Sequence, residues 1–335
     1  MLTELKSWSK KLKDGLDLAH NFHFENAAKL PNNIKKIAFF GMGGSGIAGR
    51  IVKTFLDKKC KIPSFVIDGP QVPSYIDSET LCFVISYSGN TWETLEALNA
   101  LTENFIPTIV ISHGGKALEI AESRNILQIL LPTSVQPRAA LGNFLGIILG
   151  LFDLMKIMQG QEILKNFIKH CQIYISKFEN ESYFKDFIEI AKDYEMFHIW
   201  GVSGGSDSFA YRAQTQFNEN SKVRAVFSPF PELCHNLLVG FTDCKQKPLV
   251  LLFYSDYLTS NLNYAIQATS EILTEQGAVL YKVPILGDNW EEQLFNMILW
   301  ADFASYYLGK NRGVEVNAVK LIDKLKTKHK SKGLK

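Results

Sequence analysis

The sequence predicts an α/β protein made of one plan written twice. Each copy is a parallel sheet flanked by helices, a three-layer αβα sandwich. Three observations predict this. Short apolar runs that do not alternate with polar residues are interleaved with helical stretches, the pattern of parallel strands covered on both faces. Two of these runs end in glycine–serine turns that open helices, "FFGMGGSGIAGR" and "ISYSGNTWET". The whole plan then recurs at a spacing of about 160 residues.

Residues 1–34 form the N-terminal helical segment, with apolar positions at Leu5, Trp8, Leu12, Leu16 and Leu18. The first copy covers 35–158. "IKKIAFFG" reads as a strand ending on glycine, and "GIAGRIVKTFLDKK" as the helix after it. "SFVID", "LCFVISYS", "PTIVISH" and "ILQILLP" are the following strands, with "TWETLEALNALTEN" and "GKALEIAESRN" as helices between them. "LGNFLGIILGLFDLMKIM" closes the copy; Asp153 and Lys156 interrupt it, so it reads as a buried helix and not a membrane span.

Residues 159–195 read as connecting helices rich in lysine and glutamate, and 196–312 as the second copy. There "MFHIWGVSGGSDSFAYRAQTQFNEN" echoes "KIAFFGMGGSGIAGRIVKTFLDK", and "PLVLLFYSDY" echoes "LCFVISYSGN". "AVLYKVPI" echoes "ILQILLPT", and "QLFNMILWADFASYYLG" matches the closing helix of the first copy. Residues 313–335 hold a C-terminal helix, "VNAVKLIDKLKTK", and a basic tail.

Composition narrows the function. The 335 residues are 46% hydrophobic and 21% charged, ordinary for a globular chain long enough for two cores. Lys and Arg number 36 against 34 Asp and Glu, a net charge of +2, which makes no nucleic-acid surface; "KLKTKHKSKGLK" reads as a solvated end. Cys60, Cys82, Cys171, Cys234 and Cys244 are scattered, without a CxxC pair, as free thiols are in a reducing compartment. "MLTELKSWSKKLKDGLDLAH" is amphipathic and has no apolar core of a signal peptide, so the expected location is the cytoplasm. Histidines and cysteines show no ligand spacing, so neither a metal nor a cofactor is expected.

The glycine–serine turns suggest an anion site. Loops that lead from strand ends into helices present unpaired amides and a partial positive charge, and hydroxyls add donors. "GMGGSG" supplies Gly43, Gly44 and Ser45; "SYSGNT" supplies Ser86, Ser88 and Thr91. In the second copy "FYSDYLTSN" sets Asp256 just after the serine, where it would repel an anion, so the site is assigned to the first copy. A dinucleotide site is set aside, because counting from Gly41 to Ile47 gives no G-x-G-x-x-G and Asp68 alone stands where a ribose-binding acid could end a strand, and no Gly-Lys-Ser/Thr completes a P-loop.

With those residues in view, "GMGGSGIAGR", "SYSGNTWETLEAL" and "PRAALG" resemble the sugar isomerase (SIS) family. "FNENSK" followed by "FPELCHN" is similar to one branch of it, the bifunctional phosphoglucose/phosphomannose isomerases; the likeness runs from residue 35 to 326. The resemblance implies two packed SIS subdomains and a homodimer with active sites near its interface. It also implies metal-independent interconversion of glucose and mannose 6-phosphate with fructose 6-phosphate through a cis-enediolate. It assigns the phosphate to Ser86, Ser88 and Thr91, with Gly44 and Ser45 bordering the sugar. Glu219 would carry the proton between C1 and C2, and Arg138 would stabilise the enediolate. His235 would open the ring from the partner subunit, with Glu232 structural or positioning it. A C-terminal lysine would complete the set: Lys326, with Lys320 and Lys324 as the other choices. Two alternatives stay open, an isomerase of amino-sugar phosphates and a non-catalytic sugar-phosphate sensor.

Overall fold

The computed structural model describes residues 1–133, 136–242 and 248–331. Two helices open the chain, α1 (Leu2–Lys6) and α2 (Trp8–Asn26), then β1 (Lys36–Phe40), α3 (Gly43–Lys59) and β2 (Ser64–Ile67). Next come β3 (Thr80–Ser86), α4 (Trp92–Glu103), β4 (Thr108–Ser112), α5 (Lys116–Ser123), β5 (Leu127–Leu130) and α6 (Leu141–Leu154). The connecting helices are α7 (Gly160–Phe178) and α8 (Lys185–Ala191). The second half holds β6 (Met196–Val202), α9 (Asp207–Gln216), β7 (Arg224–Phe230) and β8 (Leu249–Phe253). It ends with α10 (Ser260–Glu275), β9 (Val279–Lys282), α11 (Trp290–Asn311) and α12 (Lys320–Ser331). The chain divides into an amino-terminal unit, Ser7–Lys165 with Val319–Lys335, and a carboxyl-terminal unit, Met1–Lys6 with Asn166–Ala318.

Among the described residues the strands of the amino-terminal unit form a five-stranded sheet in the order β2-β1-β3-β4-β5, every pair parallel. Burial explains the apolar runs. All of β3 and β4 and nearly all of β1 are buried, whereas the edge strands β2 and β5 are only partly covered. Each fully buried Phe or Ile of the central strands contributes about 1.5–3 kcal/mol. Helix α6 is apolar and long enough, with the turn before it, to cross a membrane by composition alone, yet 78% of the window Pro137–Leu154 is buried inside the protein. The reason is its neighbour. A Cβ on Gly15 of α2 would stand 2.4 Å from the Asn143 carbonyl, and one on Gly146 would stand 2.4 Å from that of Leu12, so the helices touch backbone to backbone.

The carboxyl-terminal unit repeats the design with the order β7-β6-β8-β9, again all parallel. Helix α11 is buried along almost its whole length. Its Trp300 gathers the rings of Phe184, Phe187, Phe217, Phe253 and Tyr281. In the same core Arg212 of α9 and Asp302 of α11, each 1% exposed, pair at 3.1 Å. Strand β7 has no counterpart in the sequence reading, which passed from "FNENSK" straight to "FPELCHN". Its positions are largely exposed or half-buried, and an edge strand tolerates Pro229 in place of an amide donor.

In both sheets the connections run in opposite directions from the centre: β1 leads to β2 but β3 to β4, and β6 leads to β7 but β8 to β9. The crevices between β1 and β3 and between β6 and β8 are therefore the switch points where ligands of open α/β sheets bind.

Candidate active site

At the amino-terminal switch point the turn after β1 swings into α3 through Gly43, at φ +52°. The turn after β3 reaches α4 through Gly89, at φ +62° and hydrogen-bonded by its amide to the Ser86 carbonyl at 3.1 Å. Among the described residues no side chain caps either helix: Met42 precedes α3 and Thr91 precedes α4 without a capping bond. In α3 the Ser45 and Gly46 amides turn back to the Met42 carbonyl, and no side chain among the described residues blocks the amides before them at the positive end of the helix dipole. Ser45 is buried, and its Oγ accepts the Tyr87 amide at 3.0 Å, stapling the two turns together. Ser86 is buried with its Oγ 3.4 Å from Thr91 Oγ1, and Ser88 is exposed, its Oγ accepting the Asn90 amide. The hydroxyl of Ser112 lies 2.7 Å from the Ser86 carbonyl and supports the turn from β4.

Arg138 joins this group from the 3-10 turn Pro137–Ala140 that leads into α6. The residue is buried, and its Nη1 donates to Gln136 Oε1 at 3.3 Å. Two contacts hold the turn. Lys11 of α2 donates its Nζ to the Ala139 carbonyl at 2.8 Å. Gly44 lies against the Arg138 backbone so closely that a Cβ there would be 3.1 Å from the Arg138 Cα.

Glu219 belongs to the carboxyl-terminal unit, where it sits half-buried in a π-helical turn, Phe217–Ser221, that extends α9. The turn closes with Lys222 in the left-handed region, φ +57°. This end of α9 lies at the amino-terminal edge of the sheet, because Asn218 bonds Ala225 near the start of β7. His235 is exposed at the end of the 3-10 turn Glu232–His235. Glu232 Oε1 accepts from the side-chain Nδ2 of Asn236 at 2.8 Å. Lys326, Lys320 and Lys324 all lie on α12 of the amino-terminal unit and are exposed.

The second switch point is built differently from the first. Ser206 repeats the staple, its Oγ accepting the Val202 amide at 2.9 Å and lying 2.7 Å from the Phe253 carbonyl. Asp207, however, turns its carboxylate into the mouth of its own helix, where Oδ2 accepts the Gly204 amide at 3.4 Å. Burial raises the Asp207 pKa, and the amides of Ser208, Gly204, Asp207 and Gly205 pull it part of the way back. The group in that helix mouth is therefore Asp207. Asp256, the residue singled out by the sequence, is engaged elsewhere: its amide donates to Gln293 Oε1 at 3.0 Å and its Oδ2 accepts Gln293 Nε2 at 3.2 Å.

Gly41, Gly43 and Gly46 do stand in the G-x-G-x-x-G register, which corrects the count that ended on Ile47. Their work here is local: a Cβ on Gly46 would be 2.3 Å from the Gly41 carbonyl, and Asp68 at the end of β2 is ion-paired with Arg50. Among the described residues no three of His, Cys, Asp or Glu converge as metal ligands. Burial pushes the Cys82 and Cys171 thiols up, away from nucleophilic chemistry.

The comparisons with known proteins fall on these same segments. Residues 32–139 match the SIS domain, and residues 187–328 match the bacterial phospho-glucose isomerase C-terminal SIS domain. A bifunctional phosphoglucose/phosphomannose isomerase of Thermoplasma volcanium is 32% identical over 316 residues, 93% of this chain and 96% of that one. The chain belongs to this family. A second member, from Caldicellulosiruptor bescii, is 31% identical over 88% of this chain and 90% of its own. Among solved structures, a glucosamine-6-phosphate deaminase of Thermotoga maritima shares the fold with a TM-score of 0.68 at 18% identity, covering 94% of this chain and 96% of that one.

Within the family frame, the structure brings together Gly44, Ser45 and Arg138, and Ser86 with Thr91. The sequence reading missed the residues that hold them. Lys11 stands on a helix face as an ordinary amphipathic lysine, and nothing in its spacing points to a carbonyl 128 positions away. Tyr87 and His113, stacked with ring centroids 5.3 Å apart, also flank the turn, and His113 Nδ1 lies 2.9 Å from the Leu131 carbonyl.

Proposed function

We propose that the chain interconverts glucose 6-phosphate and mannose 6-phosphate with fructose 6-phosphate, without a metal ion. The observation that carries this is the switch point between β1 and β3: two uncapped helix N-termini, stapled by Ser45, with the Arg138 turn packed on Gly44. Such a site suits a dianion with a polyol attached, because the amides and hydroxyls give many directed bonds and the arginine adds fixed charge.

In this reading Ser86, Ser88 and Thr91 hold the phosphate, and Gly44 and Ser45 border the sugar. His235 gives a proton to the ring oxygen and takes one from the C1 hydroxyl, which opens the ring. Glu219 removes the proton at C2, and the electron pair becomes the enediolate while the hydroxyl proton passes from O2 to O1. Glu219 then returns its proton to C1, giving the ketose. Arg138 stabilises the charge on O1 and O2, worth several kcal/mol in a water-excluded site. Because C2 is planar in the enediolate, reprotonation of either face yields either epimer. The exposed position of His235 on a single chain supports the view that it serves a partner copy in a homodimer, and the reading places that homodimer in the cytoplasm. Lys326 is the C-terminal lysine in this scheme, and residues 35–158 and 196–312 are its two SIS subdomains.

The test is a coupled assay started from fructose 6-phosphate in EDTA, following glucose and mannose 6-phosphate separately. Both products are expected without added metal. Replacing Glu219 by Gln is expected to lower kcat at least about a hundredfold, the scale of a general base. A wild-type rate in that variant removes Glu219 from the reaction, and turnover that needs a metal removes the metal-free scheme.

A further inference from the structure

Glu219 lies in an unusual piece of backbone. A π-helical turn inserts one residue into a helix and rotates everything beyond it, so the direction of a side chain in it depends on what fixes the turn. Here the flanking residues are tied to two different elements. Before Glu219, the Asn218 carboxamide bonds Ala225 of β7 twice, accepting its amide at 2.9 Å and donating to its carbonyl at 3.2 Å. After Glu219, Asn220 Nδ2 donates to Ser305 Oγ of α11 at 2.9 Å, and Ser221 Oγ donates to the Ser305 carbonyl at 2.7 Å. Helix α11 comes in so close that a Cβ on Gly309 would stand 2.3 Å from the Asn220 carbonyl. Lys222 closes the turn, its Nζ donating to the Glu219 carbonyl and, at 2.7 Å, to that of Ala318.

We propose that Asn218 and Ser305 are positioning residues for Glu219, clamping the π-turn to β7 on one side and to α11 on the other. The inference rests on the proposed role of Glu219 and adds the reason asparagines flank it. A carboxylate that serves two adjacent carbons must keep both within hydrogen-bond reach, and a misplacement of about 1 Å lowers rates about a hundredfold. The turn's own backbone bond, from the Lys222 amide to the Phe217 carbonyl, closes it without tying it to its neighbours, and the flanking side chains do that. Asn218 is exposed, so it fills no core and its amide bonds are its contribution. Ser305 is fully buried, and its Oγ is the acceptor for Asn220.

The experiment measures kcat, KM and the pH dependence of kcat for Asn218→Ala and Ser305→Ala beside Glu219→Gln, with thermal melting of each. The expected result is a fall in kcat of about tenfold to a hundredfold in each clamp variant, with KM within about twofold of wild type. The acidic limb of the kcat profile should also move, since loosening the turn changes the surroundings of the carboxylate. A structural role alone would lower the melting temperature and leave kcat and its pH profile in place. Because Asn218 is at the surface, its variant reports even if the Ser305 variant does not fold. Unchanged kcat in Asn218→Ala together with an inactive Glu219→Gln overturns the clamp. An active Glu219→Gln instead overturns the premise, the proton-carrying role of Glu219.

Discussion

Gly44→Ala is the sharpest probe of how the two turns and Arg138 act as one assembly. The position is helical and not in the left-handed region, so alanine meets no backbone strain there. Its methyl would stand 3.1 Å from the Arg138 Cα and 3.2 Å from the Arg138 amide nitrogen. Carbon atoms rest at about 3.5–4.0 Å, so the Arg138 turn must retreat by about 0.4 Å. Overpacking of this size costs about 1–3 kcal/mol, and the loss of chain freedom in the unfolded state returns about 0.4–1 kcal/mol. The net destabilisation is therefore at most about 2.6 kcal/mol. If a full 1 Å of misplacement lowers rates about a hundredfold, a shift near 0.4 Å should lower kcat on the order of fivefold to tenfold. The assay is initial-rate kinetics with fructose 6-phosphate, alongside a melting curve with and without the substrate. Wild-type kcat in a variant that melts near the wild-type temperature would refute the reasoning, because the guanidinium would then be insensitive to the glycine beneath it.

Two further predictions concern stability. Asp302→Ala leaves Arg212 buried without its carboxylate and removes the acceptor of Gln216 Nε2, 2.6 Å away; urea titration is expected to show a loss of about 3–5 kcal/mol, and a loss below about 1 kcal/mol would refute the pairing. His170 is fully buried, and desolvation lowers its pKa to about 4, against smaller upward pulls from the Asn296 hydrogen bond and from Glu292 and Asp288. Its folded pKa lies below its unfolded value of 6.5, so the unfolded chain binds the extra proton between those values. The stability is complete above pH 6.5 and declines as pH falls toward 4. His170→Gln, which keeps a partner for Asn296, is expected to flatten the stability curve by about 2 kcal/mol between pH 7 and 5; an unchanged slope would refute it.

The central strands were legible because burial on both faces leaves nothing but apolar residues, as in "LCFVIS" and "PLVLLF", and both switch-point loops follow from those strands. Strand β7 was not legible: one face is open, Pro229 interrupts it, and its neighbours "FNENSK" and "FPELCHN" carry the stronger signals. The π-turn leaves no periodic trace, since one inserted residue shifts the helical phase only at its end. Ser45 was legible as a hydroxyl at a helix mouth but not as the acceptor for Tyr87, a pairing across 42 positions. The identity of the residue that fills the second helix mouth was a near miss, since Asp207 and Asp256 both follow serines and only the fold shows that Asp256 faces Gln293. Cys244 and the tail beyond residue 331 lie outside the described residues.

The two copies share a scaffold device and differ in what they leave open. Each joins its two switch-point strands through a buried serine, Ser45 accepting the amide of Tyr87 and Ser206 donating to the Phe253 carbonyl. In the first copy the helix mouths beyond the serine are uncapped, whereas in the second Asp207 supplies an internal anion to the mouth of α9. A carboxylate engaged by backbone amides is poorly placed to move a proton between carbons, so the proposed base is not expected at Asp207. Glu219 lies instead past the far end of α9, a helix of 10 residues and hence about 15 Å long, at the opposite edge of the sheet. That placement sets the residue at the carboxyl-terminal end of α9, away from the amides that engage Asp207. It also explains why a dedicated clamp from β7 and α11 is needed, since the sheet's own ligand crevice does nothing to fix that edge.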